Sequence, residues 1–218
     1  GLDCSAEGRV GGLLRAYKEV MPDVLGLQEV SVRMADLFMA ELEHVALPDG
    51  TVAKYEYVSG GDTPIVYRRD KLKLLESGFF RYTEEIEGLE GSFNNGETKS
   101  YCFGVFEDRT TKKRFALLST HLWWKSSKVQ PGSNEARAYQ IRQASAKMDE
   151  IMERYNCPGI MMGDFNASMD SLCLAAAQEE GWKEVYYLSV GDRDEFRGHH
   201  FCNNDGFGRR DDGGKFVQ

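Results

Sequence analysis

Residues 160–168 read IMMGDFNAS, and this stretch decides the fold. Its three apolar residues lie between two glycines, which is typical of a short buried strand bounded by turns. Asp164 and Asn166 follow the C-terminal end of that strand. Loops at this end of a sheet carry function in layered α/β proteins, so the pattern predicts a site there.

Two earlier segments repeat this arrangement of an apolar run followed by a polar side chain. Asp23–Val30 (DVLGLQEV) predicts a buried strand, with Glu29 where that strand meets the next helix, and Arg114–Thr120 predicts a strand followed by His121. Each motif alone has a simpler explanation. Gln28 and Glu29 suit the start of a helix, where carboxylates favour the positive end of the dipole. The histidine suits a packed strand edge, and GDFN suits a tight turn.

Apolar residues at helical spacing predict helices around these motifs, including two near residues 10–20 and 34–42. A long third helix is expected to begin with Ser133 or Asn134 as its N-cap, and a helix near Ser171–Glu179 is expected to be capped by Asp170. The stretch Glu84–Lys99, rich in Gly, Asn and Glu, is interpreted as a surface loop. Further predicted strands are Tyr55–Val58, Pro64–Arg68, Lys71–Ser77 and Ser100–Glu107, the last forming a hairpin with Arg114–Thr120.

Taken together and in order, the motifs DVLGLQEV, STHLWW and IMMGDFNAS resemble the endonuclease/exonuclease/phosphatase superfamily of DNase I-like phosphoesterases. The resemblance runs from about Ser5 to about Gly198, and GDFN following LQE is its most telling part. It implies an α/β fold. Strands alternating with amphipathic helices on both halves of the chain predict the same architecture, a four-layer α/β sandwich of two packed, mainly antiparallel sheets flanked by helices.

The resemblance also implies roles for individual residues. Glu29 matches a glutamate that binds Mg²⁺ or Mn²⁺, which take hard oxygen ligands. Asp164 matches the aspartate that orients or deprotonates the attacking water. Asn166 matches an asparagine whose amide donates to the phosphate. His121 matches a histidine that contacts the scissile phosphate and assists the leaving group. Arg137 suits bidentate binding of phosphate, or equally a brace for acidic neighbours.

The expected function is metal-dependent hydrolysis of a phosphate ester by in-line attack of water, as a phosphodiesterase or nuclease, or as a phosphatase. The substrate, whether a small molecule, a lipid headgroup or a nucleic acid, is left open. Trp123 and Trp124 favour stacking on a base or sugar, or simple packing at a sheet edge.

Set against the family, residues 1–218 are interpreted as a single domain that lacks the family's first strand and last strands. Those strands carry a metal-site asparagine, a terminal aspartate and a Ser-Asp-His motif, and no Ser-Asp-His occurs in this sequence. The alternative function is therefore a non-catalytic module that binds a phosphate ligand, or an inactive fragment of such an enzyme.

Composition limits the other possibilities. A length of 218 residues with 41% hydrophobic content is enough to bury the core of one domain. Five scattered cysteines favour a reducing compartment, so a cytoplasmic location is expected, with secretion left open if a signal peptide was trimmed. No stretch is apolar enough to span a membrane. The net charge of −8 disfavours holding long nucleic acid by general electrostatics.

Overall fold

Seven strands form two β-sheets in the computed structural model, which describes residues 5–185 except 48, 97 and 169. The first sheet has the order β1-β3-β2 and is antiparallel; the second has the order β4-β5-β6-β7, in which only β6 and β7 are parallel. The strands are β1 (Val24–Gly26), β2 (Tyr55–Val58), β3 (Ile65–Arg68), β4 (Leu72–Arg81), β5 (Ser100–Asp108), β6 (Arg114–His121) and β7 (Gly159–Asp164). The helices are α1 (Ala6–Val20), α2 (Val32–Leu42), α3 (Ser133–Tyr155) and α4 (Leu172–Glu179).

Strand β3 shows why the sheets stack as layers. Successive side chains of a strand point to opposite faces, and every residue of β3 is buried. Ile65 and Tyr67 pack into the core between the sheets, beside Cys102 and Phe106 of the second sheet. Val66 belongs to a separate core with the apolar side chains of α1 and α2. The first sheet is therefore covered on both faces.

The second sheet carries its own helical layer. Helix α3 packs against β6, and Lys147 of α3 lies over the ring of Phe103 in β5. The buried stripe of α3 includes Ile141, Ala144 and Met148, as the helical spacing predicts. The expected four-layer α/β sandwich is confirmed.

All helices and strands described above lie in the compact unit Gly1–Glu180. The other unit, Gly181–Gln218, lies almost wholly outside the described residues. The prediction of one domain over residues 1–218 stays a prediction. None of the helices in the described part of the chain is long and apolar enough to cross a membrane.

Four local predictions were wrong in whole or in part. Strand β1 ends at Gly26, well short of the predicted Val30. The residue opposite Leu27 is Pro64, which accepts from the Leu27 amide but has no N–H to continue the ladder, and Glu29 further on takes a left-handed backbone with φ 57°. Helix α3 has Gly132 as its N-cap, while the Ser133 hydroxyl donates to the Gln130 carbonyl.

The cap of α4 is Ser171, whose hydroxyl accepts from the Leu174 amide, whereas the predicted cap Asp170 accepts from the Ser168 hydroxyl through its carboxylate.

The predicted surface loop Glu84–Lys99 is in part a core element. Phe93 and Asn94 within it are fully buried, and Phe93 packs edge-on against Trp123.

We expect Phe106→Ala to lower the free energy of unfolding by about 3–5 kcal/mol, because it empties the centre of the inter-sheet core. The Phe106 ring is fully buried, and its centre lies 5.0 Å from the ring centre of Tyr67 in the other sheet and 5.4 Å from the ring centre of Phe115. Urea denaturation measures the change. The control Val32→Ala, at an exposed position of α2, should stay within about 0.5 kcal/mol of wild type. A Phe106→Ala variant as stable as the control would contradict this packing of the sheets.

We also expect the protein to lose stability as the pH rises from about 9 towards 12. Burial raises the pKa of the Cys102 thiol to about 12 and that of the Tyr101 hydroxyl to about 12. Well below pH 9, where an ordinary thiol titrates, both groups are protonated in both states, so their contribution is complete there. Above it the unfolded chain ionises first, which favours unfolding. Urea midpoints between pH 8 and 11 test this, and Cys102→Ala should make the loss shallower.

Candidate active site

The register of the second sheet brings several polar residues to one edge. His121, the last residue of β6, pairs with Ser100 at the start of β5 on one side and with Asp164 at the end of β7 on the other. Because β6 runs antiparallel to β5 and parallel to β7, one end of each strand meets at this edge. Lys99, which directly precedes β5, is delivered to the same place.

The predicted residues Glu29, His121 and Asp164 converge at this edge. His121 Nε2 lies 4.0 Å from Glu29 Oε1 and 3.9 Å from Asp164 Oδ2. The imidazole is buried, with 2% of its side chain exposed, whereas Glu29 and Asp164 are 65% and 45% exposed. Two carboxylates that reach solvent thus lie over a buried histidine, across the junction of the two sheets.

Glu29 follows a short loop that is hydrogen-bonded to Pro64, just before β3 of the first sheet, and to Ser119 in β6 of the second. The Leu27 amide donates to the Pro64 carbonyl, and the Gln28 side-chain amide donates to Ser119 Oγ at 2.9 Å. Ser119 Oγ in turn donates to the Leu27 carbonyl at 3.2 Å. The left-handed φ of Glu29 costs about 1–3 kcal/mol, and such strain persists where surrounding contacts enforce it, most often at functional sites.

Asn166 lies beside Asp164 and also has a left-handed backbone, with φ 48°. Its backbone amide donates to Asp164 Oδ1 at 2.9 Å, and its side-chain Nδ2 donates to the Leu122 carbonyl at 3.1 Å. The side chain keeps a second N–H on Nδ2. Asn166 therefore orients the Asp164 carboxylate and retains one donor for another partner.

Arg137 supports the loop after β6. Its guanidinium is buried, and it donates to the carbonyls of Trp123 at 3.1 Å and Lys125 at 2.9 Å, and to Asn134 Oδ1. In the described part of the chain, no hydrogen bond joins it to Glu29, His121 or Asp164. Burial lowers the pKa of Arg137. The structure places it as a brace, acting on backbone carbonyls and an asparagine where acidic neighbours were expected.

The two tryptophans after His121 differ in burial. Trp123 is buried and donates from Nε1 to Ser133 Oγ, which agrees with packing. Trp124 is 59% exposed, and Lys125 Nζ lies 5.3 and 5.8 Å from the ring centres of Trp123 and Trp124. Only Trp124 presents a large exposed surface.

The sequence interpretation missed two residues of the site, Asp62 and Lys99. Asp62 Oδ2 lies 2.7 Å from His121 Nδ1, and Asp62 Oδ1 accepts from Ser100 Oγ at 3.0 Å. Lys99 Nζ lies 2.7 Å from His121 Nε2. Burial lowers the pKa of Lys99, and Asp62, Glu29 and Asp164 act in the opposite direction. The predicted hairpin contained the signal for Lys99, since a residue just before Ser100 must lie near His121.

The donor set is compatible with a divalent metal in type and charge. Among the described residues, no group of three or more His, Cys, Asp or Glu side chains is arranged to hold a metal ion. Mg²⁺, however, commonly uses one or two protein carboxylates and fills its shell with water and substrate oxygens. The three carboxylates of Asp62, Glu29 and Asp164 outnumber the single amine of Lys99, and this excess of acidic groups suits a divalent cation. Glu29 and Asp164 carry the solvent-accessible carboxylate oxygens of the group.

Solved structures of the endonuclease/exonuclease/phosphatase type share this fold. The protein of that name from Bacteroides vulgatus is 22% identical with a TM-score of 0.62, over 78% of this chain and 62% of that one. The mannosyl-6-phosphatase of Bacteroides thetaiotaomicron is 21% identical with a TM-score of 0.62, over 80% and 63%. The human Nocturnin catalytic domain, solved with a bound sulfate anion, is 17% identical with a TM-score of 0.61, over 88% and 70%.

These similarities confirm the DNase I-like fold that the sequence motifs implied. The chain spans less than two thirds of the length of the two Bacteroides proteins. No protein-family model and no curated protein sequence matches the chain.

We expect Gly163→Ala to destabilise the protein by at least about 2 kcal/mol and to displace Asp164. A Cβ on Gly163 would lie 2.0 Å from the Thr120 carbonyl oxygen, so β6 and β7 could not keep their pairing. Gly50→Ala is the matched control, because Gly50 also has a positive φ but nothing lies within 4 Å of its Cβ position. Urea denaturation compares the two. Equal losses would show that the contact with Thr120 does not limit position 163.

Proposed function

We propose that this protein is a metal-dependent hydrolase that cleaves a phosphate ester by in-line attack of water. The observation that carries the proposal is the convergence of Glu29 and Asp164 on His121, within 4.0 Å, at one edge of the second sheet. The order of the sequence motifs and the shared fold support it. A phosphate ester resists attack because it is an anion, and positive charge and fixed donors lower that barrier.

Asp164 is the proposed group that orients or deprotonates the attacking water. One of its oxygens is held by the Asn166 amide, so the carboxylate is fixed while its other oxygen faces His121 at 3.9 Å. The side chain is partly open to solvent, which gives a water molecule access. General-base assistance of this kind contributes about 10²–10⁴-fold to a rate.

Asn166 is the proposed donor to the phosphate. Its side chain is anchored through one N–H to the Leu122 carbonyl, and the other N–H remains for a non-bridging oxygen. A donor fixed before the reaction stabilises charge that develops in the transition state without reorganising.

Glu29 would hold a divalent cation, together with Asp164. A bound Mg²⁺ or Mn²⁺ supplies Lewis-acid stabilisation of the phosphate oxygens. The loop conformation of Glu29 supports this role because it brings the carboxylate to the site. His121 Nε2 lies within 4.0 Å of both the Glu29 and the Asp164 carboxylates.

The ester class is best tested directly, because this fold occurs in a protein named a mannosyl-6-phosphatase and in proteins with nuclease in their names. The full-length protein is assayed with p-nitrophenyl phosphate, bis-p-nitrophenyl phosphate and single-stranded DNA. Each substrate is tested with Mg²⁺, with Mn²⁺ and with EDTA. We expect turnover of at least one substrate that EDTA abolishes. Binding of phosphate without turnover would instead support the non-catalytic module.

We expect Asp164→Asn to lower kcat of the best substrate at least about a hundredfold while the urea midpoint barely changes. The amide keeps an oxygen to accept from Asn166 but does not accept a proton from water. Asp149→Asn, at an exposed position of α3, is the control and should retain wild-type activity. An active Asp164→Asn variant would leave GDFN as a turn motif only and remove the catalytic assignment.

A further inference from the structure

A cavity of about 770 Å³ lies at the opposite end of the strands from the candidate active site. Strand β5 begins at Ser100, opposite His121, and ends at Asp108, opposite Leu72 of β4. At about 3.3 Å per residue, the two ends of β5 are roughly 26 Å apart. We call this space the distal cavity, and its lining includes Arg109, which directly follows β5.

Three basic side chains from both sheets line the distal cavity: Lys54, Arg69 and Arg109. Lys54 and Arg69 lie opposite each other just beyond the paired ends of β2 and β3, where the Arg69 amide donates to the Lys54 carbonyl at 2.9 Å. Arg109 reaches across from the second sheet, and its Nε donates to the Arg69 carbonyl at 2.8 Å. The Arg109 guanidinium is thus anchored through one nitrogen and keeps the N–H groups of its two terminal nitrogens for another partner.

The carboxylate of Glu56 is shared within the cavity. Its Oε2 accepts from the hydroxyl of the buried Tyr67, and its Oε1 lies 3.4 Å from Arg69 Nη1. Burial and the Glu56 carboxylate raise the pKa of Tyr67, whereas the charges of Arg109 and Arg69 act in the opposite direction. Both guanidinium groups therefore lie near enough to the Tyr67 hydroxyl to act on its charge.

The second acidic residue at the cavity, Asp70, is already paired. Its carboxylate accepts from Arg68 Nη2 at 2.6 Å and from Arg68 Nε at 3.3 Å, and Arg68 is buried. Among the residues that the structure describes, no carboxylate oxygen lies within 4.0 Å of Lys54 Nζ or of the Arg109 guanidinium. Lys54 and Arg109 therefore bring two positive charges that no described carboxylate pairs with.

This arrangement of charges is unfavourable without an anion. Like charges directly opposite each other on two strands repel, as Lys54 and Arg69 do, and Arg109 adds a third positive charge beside them. Glu56 offsets one of the three, which leaves an excess of two positive charges in a chain whose net charge is −8. A phosphate dianion has the charge that cancels this excess, and its oxygens accept from ammonium and guanidinium groups.

We propose that the distal cavity binds a phosphate dianion, held by Arg109, Lys54 and Arg69. The phosphate is either the free ion or the end group of a small phosphate monoester. The volume of about 770 Å³ lies within the range of about 300–1,000 Å³ that is usual for small-molecule sites, and Leu72 and Leu74 line the cavity beside the cations. The cavity therefore has room for an organic group as well as the phosphate.

The distal cavity is separate from the proposed reaction. None of its lining residues belongs to the candidate active site, so phosphate binding there does not depend on whether the protein hydrolyses an ester. Lys54→Met should accordingly hydrolyse the best substrate at the wild-type rate. Loss of phosphate binding in that variant with hydrolysis intact would support the distal cavity as a second site.

Binding is mapped first on the unmutated full-length protein. The ¹⁵N-labelled protein is titrated in EDTA with inorganic phosphate, with ribose 5-phosphate and, at matched ionic strength, with sodium chloride. We expect both phosphates, but not chloride, to shift the backbone amide signals of Lys54, Arg69 and Arg109 saturably. Equal affinities would identify the free ion as the ligand, and tighter binding of ribose 5-phosphate would identify a monoester. Saturable shifts confined to the candidate active site, or none up to about 10 mM, would overturn the proposal.

Charge-removing variants then test the contacts by isothermal titration calorimetry. Lys54→Met and Arg109→Gln should each weaken phosphate binding about tenfold. Without phosphate, the urea midpoint of Lys54→Met should be at or above that of wild type, because the variant removes the repulsion of Arg69. Lys113→Met is the control: it removes a charge from the turn that also holds Arg109, but Lys113 does not line the cavity. Equal losses in Lys54→Met and Lys113→Met would show a general response to positive charge and refute a specific site.

Thermal unfolding gives an independent measurement, because a phosphate between Arg69 and Arg109 links the two sheets. A ligand that binds only the folded chain stabilises it, so the wild-type Tm should rise by about 5–10 °C at a phosphate concentration about a hundred times Kd. Lys113→Met should keep this rise, and Lys54→Met should lose most of it at the same concentration. A Tm that rises equally in all three proteins would place the bound phosphate elsewhere and overturn the proposal.

Discussion

The pairing of β6 with its two neighbours is the constraint on which the site depends. Antiparallel pairing with β5 sets Ser100 opposite His121, and parallel pairing with β7 sets Asp164 opposite His121. The parallel pair comes so close at its end that position 163 must be glycine, since any Cβ there would meet the Thr120 backbone. The glycine of GDFN is therefore a packing requirement that delivers the neighbouring aspartate to the histidine.

Electrostatics explains why the rest of the site is so firmly braced. Three carboxylates gather around one ammonium and one imidazole, and such a group repels itself unless each member is held. Asp62 is tied by Ser100 and His121, Asp164 by the Asn166 amide, and the Glu29 loop by Ser119. The left-handed backbones of Glu29 and Asn166 are further costs that these contacts sustain. The excess of acidic groups at this edge favours a bound cation.

The sequence predicted those parts of the fold that depend on local pattern. Apolar runs followed by polar residues located His121 and Asp164 at strand ends and Glu29 in the loop just after β1, and the resemblance of the motifs implied their convergence. Asp62 was missed because its contact with His121, 59 residues away in the chain, joins side chains that no local pattern relates. Lys99 directly precedes the hairpin strand opposite His121, so the predicted hairpin indicated its position near the site but not its contact with the imidazole.

Other misses have equally specific causes. The early end of β1 follows from its partner: Pro64 lies opposite Leu27 and has no N–H to continue the ladder, which the periodicity of β1 itself does not encode. The cap of α3 was misassigned because the Ser133 hydroxyl is occupied by the Gln130 carbonyl and by Trp123 Nε1. Local preference favoured serine as a cap, and tertiary contacts gave its hydroxyl other partners.

The stretch Glu84–Lys99 shows how the site could stay constant while its surroundings vary. Its second half is anchored: Gln140 Nε2 donates to the Phe93 carbonyl, and Asn94 clamps Lys99. Its middle is exposed and lines a cavity of about 580 Å³ together with Lys125 and the turn before α3. The buried anchors separate these two parts, so substitutions in residues 88–92 can reshape the cavity wall without moving Lys99.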